Sequence, residues 1–379
     1  MNTRSSFIAA SLLVSAQLSI AFSAQAETFS TLILTPLTIE GLTNDNRGNL
    51  YTPGRRVQTT VSDQGQPCPV WRVNIASPAL VIVGFIPAPS ATTVCSPSGL
   101  AFNRAGKLFV ADGDNIYSFI PDSSVPPTAT VFASGVLGTN GLAFDRFGNL
   151  WTGDGTQGRG RVWKINTSGF VTEMFRVQPM VNSVPVGRDI RTVPTGNSQP
   201  LVANGLQFTE DGDLLIADTA RGAIWKVKFG RDGQLRSKTG CDTTFTDNTL
   251  CLENILVAHP LLDGADGIAL DQDDNIWVSA NERNAIVLVT NDDDDDKNRV
   301  IEVFRNPPDS ANLRNGGPLE TPASPALSNV TLCTSNSDGN RRDNSPNTAG
   351  EIKPAGPDRG KISCMDQRVR VRGATLPVR

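Results

Sequence analysis

Histidine is almost missing from this chain: His259 is the only one in 379 residues. The six cysteines contain no C-x-x-C pair. These two shortages argue against a zinc or copper centre, whose ligands are chiefly His and Cys. Charged residues make up only 19%, and the net charge of −4 comes without a basic stripe, so nucleic acid is not an expected partner. Beyond the N-terminus no stretch is long and apolar enough to span a bilayer, and no membrane association is expected. Long windows of 3.6-residue periodicity are missing too, and Gly (34) or Pro (25) interrupts nearly every ten residues. A chain with many turns and few amphipathic helices is all-β.

The first 26 residues read as a cleaved export signal. Arg4 supplies the positive start, Phe7 to Phe22 is mostly apolar, and Ala24-Gln25-Ala26 is a small-x-small cleavage sequence before Glu27. The mature chain, 27–379, is expected to be a soluble periplasmic or secreted monomer with a single domain. Export permits disulfides, and the six cysteines form an even set. Six cysteines allow 15 pairings. Pairing between sequence neighbours would give Cys68–Cys95, Cys241–Cys251 and Cys333–Cys364.

What the chain does have is repetition. EGLTNDNRGNLYT from Glu40, SGLAFNRAGKLFVAD from Ser98, NGLAFDRFGNLWTGD from Asn140, NGLQFTEDGDLLIAD from Asn204 and DGIALDQDDNIWVSA from Asp266 are five versions of one unit. Each runs polar residue, Gly, alternating strand, tight turn, second strand. In the third copy Asp145 opens the turn and Gly148 closes it, Gly suiting the left-handed position. In the fifth, Asp274 takes the Gly place. The lead positions lie 58, 42, 64 and 62 residues apart (98−40, 140−98, 204−140, 266−204). Propeller blades of four strands take about 40–50 residues, so the excess belongs in loops such as Gln178–Val202 and Ser237–Leu252. A further step lands near Ser328, in ALSNVTLCTSNSDGN, and this degenerate copy with GKISCMD and RVRVRGA would supply a sixth blade. The expected fold is a closed, six-bladed β-propeller with a central channel, which leaves no open sheet edge.

Equivalent positions in a ring of blades converge on its axis. Glu40, Asn140, Asn204 and Asp266 would then face one another at one mouth of the channel, with Ser98 and Ser328 in the other two blades. Two carboxylates and two amide carbonyls form an all-oxygen set of charge −2, matched to a hard divalent cation: Ca²⁺ first, Mg²⁺ or Mn²⁺ as alternatives. A polar residue before Gly is also ordinary β-turn chemistry, and each of the four taken singly is as well explained that way. The case rests on four in register.

The same residues carry a family resemblance. The pattern from Glu40 to Ala280 resembles the senescence marker protein/gluconolactonase family, with its diisopropyl fluorophosphatase, paraoxonase and NHL-repeat relatives. That resemblance implies a six-bladed propeller, a divalent ion in the channel and hydrolysis of a small-molecule lactone or ester. It likens Glu40 of EGL to a first-blade Glu ligand and Asn140 of TNGLAFD to an Asn touching metal or substrate. Asn204 of ANGLQF matches the central Asn ligand, and Asp266 of ADGIAL the acidic ligand assigned as base or nucleophile. In such a site the cation polarises the carbonyl and stabilises the oxyanion. Asp266 would be general base or nucleophile, or would only orient a water activated by the cation, since a nearby dication weakens a carboxylate as a base. The chain departs from the family at EGLTN, where EGPxW is common, and at Gly138, where sugar-lactone enzymes place Arg. Two other readings stay open: a non-catalytic NHL-type propeller that binds a protein, peptide or glycan, and a strictosidine-synthase-like propeller enzyme.

Other residues are read as structural. His259, in LVAHPLLDG, belongs on a connection seven residues before Asp266. The run Asp292 to Asp296 is read as a hairpin tip, since a calcium loop starting at Asn291 would need Gly where Asp296 stands. Trp151, Trp163, Trp225 and Trp277 recur at equivalent points and are expected in the core between blades. The sequons at Asn166 and Asn329 have no assigned role in an apparently bacterial export context.

Overall fold

The computed structural model describes residues 27–56, 61–179, 202–291, 299–308, 317–337 and 360–376. The N-terminal 26 residues, the acidic run Asp292–Asp296 and most of the loop Gln178–Val202 lie outside them.

Each repeat folds as an antiparallel hairpin because its turn satisfies itself. In the third copy Asp145 Oδ1 accepts the backbone N–H groups of Phe147 (2.9 Å) and Asn149 (2.8 Å). Its Oδ2 accepts Asn149 Nδ2 (2.8 Å) and the indole N–H of Trp151 (2.9 Å). Gly148 sits at φ 83° and Asp274 at φ 57°, so both occupy the left-handed position that their turns require. Asp271 repeats the arrangement with Trp277 at 3.1 Å. One carboxylate thus ties the turn to a buried indole two strand residues later.

The hairpins extend into six sheets arranged as propeller blades. The chain opens with β1 (Phe29–Thr35), which belongs to the last blade. Blade one holds β2 (Thr38–Ile39), β3 (Thr43–Asn44), β4 (Asn49–Arg55), β5 (Cys68–Asn74) and β6 (Val81–Ile86). Blade two runs β7 (Pro97–Phe102), β8 (Leu108–Asp112), β9 (Asn115–Phe119) and β10 (Thr130–Ser134). Blade three runs β11 (Thr139–Phe144), β12 (Leu150–Asp154), β13 (Arg161–Ile165) and β14 (Val171–Arg176). Blade four is β15 (Leu206–Phe208), β16 (Leu214–Asp218), β17 (Ala223–Val227) and β18 (Ile255–Ala258). Blade five is β19 (Ala265–Leu270), β20 (Ile276–Ala280), β21 (Ala285–Val289) and β22 (Val300–Arg305). Blade six pairs β23 (Pro322–Ser328), β24 (Thr331–Asn336) and β25 (Gly360–Met365) with β1 outermost.

The closure corrects one expectation. The segment RVRVRGA alternates like a strand, yet the fourth strand of blade six is the N-terminal β1, paired with β25 from Phe29↔Met365 to Thr35↔Gly360. The C-terminal residues instead cross the turns of blades five and six. Gly373 N donates to Asn329 O (2.7 Å), Ala374 N to Leu270 O (2.9 Å), and Asn46 Nδ2 to Leu376 O (2.7 Å). Ala374 and Leu376 therefore line the far end of the channel, whose walls are Leu42, Leu100, Leu142, Leu206, Ile268 and Pro325.

The core lies between blades. Trp151 and Phe175 of blade three pack with Phe208 and Trp225 of blade four, and Trp151, Trp225 and Trp277 are buried as expected. Trp163 is only half-buried: its ring stacks under Arg161 and its N–H reaches Leu137 O at 3.2 Å. The three disulfides are Cys68–Cys95, Cys241–Cys251 and Cys333–Cys364, the pairs that neighbour pairing gives. No helix among the described residues is long and apolar enough to cross a membrane.

Candidate functional site

The glycine after each lead residue is where the site begins. A methyl group at Gly41 would lie 2.1 Å from Ser98 O, at Gly99 2.3 Å from Asn140 O, and at Gly141 2.7 Å from Asn204 O. At Gly205 it would lie 2.4 Å from Asp266 O, and at Gly267 2.5 Å from Ala323 O. Each blade's innermost strand therefore touches the lead carbonyl of the next, and only glycine leaves room. These dipeptides are not turns: Ser98-Gly99, Asn140-Gly141 and Asp266-Gly267 lie inside β7, β11 and β19. The contacts pass from lead residue to lead residue around the ring and bring the lead side chains to one mouth of the channel.

Glu40, Asn140, Asn204 and Asp266 line a single cavity of about 230 Å³ there. Arg55, Gly155, Thr156, Thr321, Ala323 and Ser337 complete its wall. Asn140, Asn204 and Asp266 are buried, and the Glu40 side chain is 16% exposed. The two serines expected to fill the ring do not. Ser98 Oγ turns to the backbone of the next blade, 3.4 Å from the carbonyls of Thr139 and Asn140. Ser328 ends β23 and borders a separate cavity with Asn46, Gln272 and Arg372. The lead position of blade six is Ala323, because two residues fewer separate its paired strands and the extrapolated spacing overshoots.

A second ring supports the first. Fifteen residues after each lead residue the chain returns at the end of the second strand, beside the lead side chain. Asn204 Nδ2 donates to Thr219 Oγ1 (3.0 Å), and the Thr219 hydroxyl donates on to Ala265 O (2.6 Å). Asn281 Nδ2 donates to Asp266 Oδ2 (3.0 Å). A methyl group at Gly155 would lie 2.6 Å from Asn140 Cβ, so glycine makes room for that amide. In blade one the partner is charged: Arg55 Nη1 bonds Glu40 Oε2, while Asn140 Nδ2 donates to Glu40 Oε1 at 3.2 Å. Blade six closes the ring through Ser335, whose Oγ donates to Glu40 O and accepts from Ser324 N at 3.1 Å.

Arg55 is the residue that sequence reasoning missed. The signal was the constant offset from Glu40, which marks the position that faces a lead side chain. Arg55 Nε and Nη2 also donate to Ser96 Oγ at 3.1 and 2.9 Å, and Ser96 N donates to Asp112 Oδ1 at 2.9 Å. Burial pushes the Asp112 carboxyl up to about 6, against the lowering effects of the Ser96 N–H and the Arg55 charge. Asp218, the matching residue of blade four, is also pushed up to about 6 by burial despite Arg221 and Trp225.

The donor set suits a hard divalent cation: two carboxylates and two amides share one cavity, and the Nδ2 bonds of Asn140 and Asn204 leave their carbonyl oxygens as the remaining donors. The set is lean in charge. No cluster of three or more His, Cys, Asp or Glu fit for a metal occurs among the described residues, and Arg55 offsets one of the two carboxylates. His259 stands away from this cavity, where its Nδ1 accepts Leu261 N (3.1 Å) and caps the short helix Pro260–Leu262.

Comparisons with known proteins agree with this architecture. A family model described as the SMP-30/Gluconolactonase/LRE-like region matches residues 70–307. Comparison with curated proteins gives no significant match. Among solved structures, a luciferin-regenerating enzyme is similar with a TM-score of 0.57 and 13% identity, covering 92% of this chain and 98% of that one. Regucalcin from Agrobacterium tumefaciens, titled a calcium-binding protein, gives 0.55 and 16% over 92% of this chain and 97% of that one. The PQQ-bound aldose sugar dehydrogenase of Streptomyces coelicolor gives 0.53 and 13% over 90% and 98%. At these identities the likeness establishes the fold, and the spread of chemistries shows that the fold alone does not choose one.

Proposed function

Because the chain belongs to the SMP-30/gluconolactonase/LRE-like family, we propose that it is an exported, divalent-metal-dependent hydrolase of small lactones or esters. The observation that carries the reading is the meeting of Glu40, Asn140, Asn204 and Asp266 in one cavity at the channel mouth. The ion is Ca²⁺, with Mg²⁺ or Mn²⁺ as alternatives, and Glu40, Asn140, Asn204 and Asp266 would hold it. When bound, it supplies Lewis acidity toward the carbonyl oxygen of the substrate.

The chain's own residues do the rest. Asp266, fixed through its Oδ2 by Asn281, takes the proton of the attacking water as the new C–O bond forms. It returns that proton to the leaving oxygen as the ester bond breaks, so protons balance over the turnover. Asn140 spans the cavity to Glu40 and orients the substrate carbonyl from that fixed position. Thr219 holds Asn204 through its amide nitrogen, so the carbonyl oxygen cannot swap places with it.

A second reading is favoured by Arg55. A guanidinium already bound to Glu40 is what a metal-free, non-catalytic binding propeller would show. A panel of lactones and aryl esters, assayed before and after chelation and after return of Ca²⁺, separates the two. Turnover lost on chelation, restored by Ca²⁺ and absent in Asp266→Ala of unchanged circular dichroism is the expected result. Turnover that survives both chelation and Asp266→Ala refutes the proposal.

A further inference from the structure

The residue that faces each lead side chain is neutral in five blades and charged in one. At the offset of Arg55 from Glu40, blades two to five carry Gly113, Gly155, Thr219 and Asn281, and strand pairing places Ser337 there in blade six. In blade one a full positive charge enters a cavity whose other charges are Glu40 and Asp266. It is not a loose surface arginine. Two of its nitrogens hold Ser96 Oγ, at 3.1 and 2.9 Å, and the Ser96 backbone is anchored on Asp112. The third nitrogen meets Glu40 Oε2, and the two side chains are only 25% and 16% exposed.

We propose that Arg55 is a resident counter-cation: its guanidinium competes with the divalent ion for Glu40, so that the ion is held weakly and exchanges. This rests on the reading of the cavity as a metal site. The reason is elementary. Glu40 Oε2 cannot give its full charge to a guanidinium and to a dication together. A unit charge about 5 Å from a dication repels it enough, even at the dielectric constant of bulk water, to change binding about tenfold. The Ser96 fork prevents the guanidinium from swinging far enough to escape that repulsion.

Isothermal titration with CaCl₂ tests this without any substrate. Arg55→Met keeps the stem of the side chain and removes the charge, and it should bind Ca²⁺ about tenfold or more tightly than the wild type. Arg55→Lys should stay near the wild type, and Ser96→Ala, which loosens the fork, should move part of the way toward Arg55→Met. Equal or weaker binding by folded Arg55→Met overturns the inference while leaving the metal site standing. If Arg55→Met does not fold, unchanged affinity in Ser96→Ala overturns it. Failure of the wild type and all variants to bind Ca²⁺, Mg²⁺ or Mn²⁺ removes the metal site, and the inference with it.

Discussion

Replacing Asp112 with asparagine should make the protein more stable, and only above mildly acidic pH. Asp112 ends β8 at 4% exposure. Its Oδ1 accepts the Ser96 N–H, while its Oδ2 is buried without a hydrogen-bond partner among the described residues. Desolvation raises the carboxyl from 3.8 to about 6, outweighing the Ser96 N–H and the Arg55 charge. A folded pKa above the unfolded one means that the native state binds the proton more tightly. Stability is then greatest below about 4, falls as pH rises toward about 6, and is flat beyond. A shift of about two units corresponds to roughly 3 kcal/mol. Asparagine keeps the Oδ1 acceptor and drops the charge, so Asp112→Asn should gain about 2–3 kcal/mol at pH 7.5 and close to nothing at pH 4. Asp218 tilts the wild-type profile the same way but cancels in the difference. Urea unfolding of both proteins at the two pH values measures the effect. A gain that does not change with pH, or a loss at pH 7.5, refutes the argument from burial.

Three further outcomes follow from the geometry. Cys333→Ser/Cys364→Ser removes a cross-strand staple between β24 and β25, whose 31-residue separation predicts a loss of about 3–4 kcal/mol in denaturant unfolding; a loss below about 1 kcal/mol would show that strand pairing alone holds the closing blade. Gly205→Ala places a methyl group 2.4 Å from the backbone oxygen of Asp266, so it should cost about 1–3 kcal/mol or more and disturb the cavity, seen as a lowered melting temperature. Thr219→Val deletes the hydroxyl between Asn204 Nδ2 and Ala265 O and should cost about 1–3 kcal/mol. If the site is catalytic, Thr219→Val should also lower kcat more than it changes KM.

The repeats gave away most of the fold because their information is local. A turn Asp that bonds its own backbone and an indole two residues into the next strand writes both hairpin and core into fifteen residues. The closing blade could not be read that way. Its outer strand comes from Phe29–Thr35, more than 300 residues from its partner β25, and nothing local marks that pairing. The alternation in RVRVRGA looked like the missing strand, but the segment uses its backbone to cap neighbouring turns, as at Gly373 and Ala374. The sixth lead position failed for a related reason: with a shorter turn after β23 the regular spacing no longer holds, and Ala323 carries no polar side chain to reveal itself.

The site was legible as a set of lead residues but not as a set of pairs, and the difference lies in what a ring constrains. Symmetry requires that lead residues converge, so a polar residue in register is visible in the sequence. It places no demand on which chemistry stands fifteen residues later, where Thr219, Asn281, Gly155 and Arg55 each serve a different neighbour. Counting Glu40 and Asp266 alone gives the cavity a charge of −2, matched to one dication; counting Arg55 as well leaves −1. The strength with which a cation is held thus turns on a residue outside the repeat consensus. A metal preference inferred from lead residues alone specifies the donor atoms and leaves the field around them unread. The offset of fifteen supplies that field in any blade whose hairpin keeps this length, and blade six, one residue shorter, shows how a single deletion shifts the partner to Ser337.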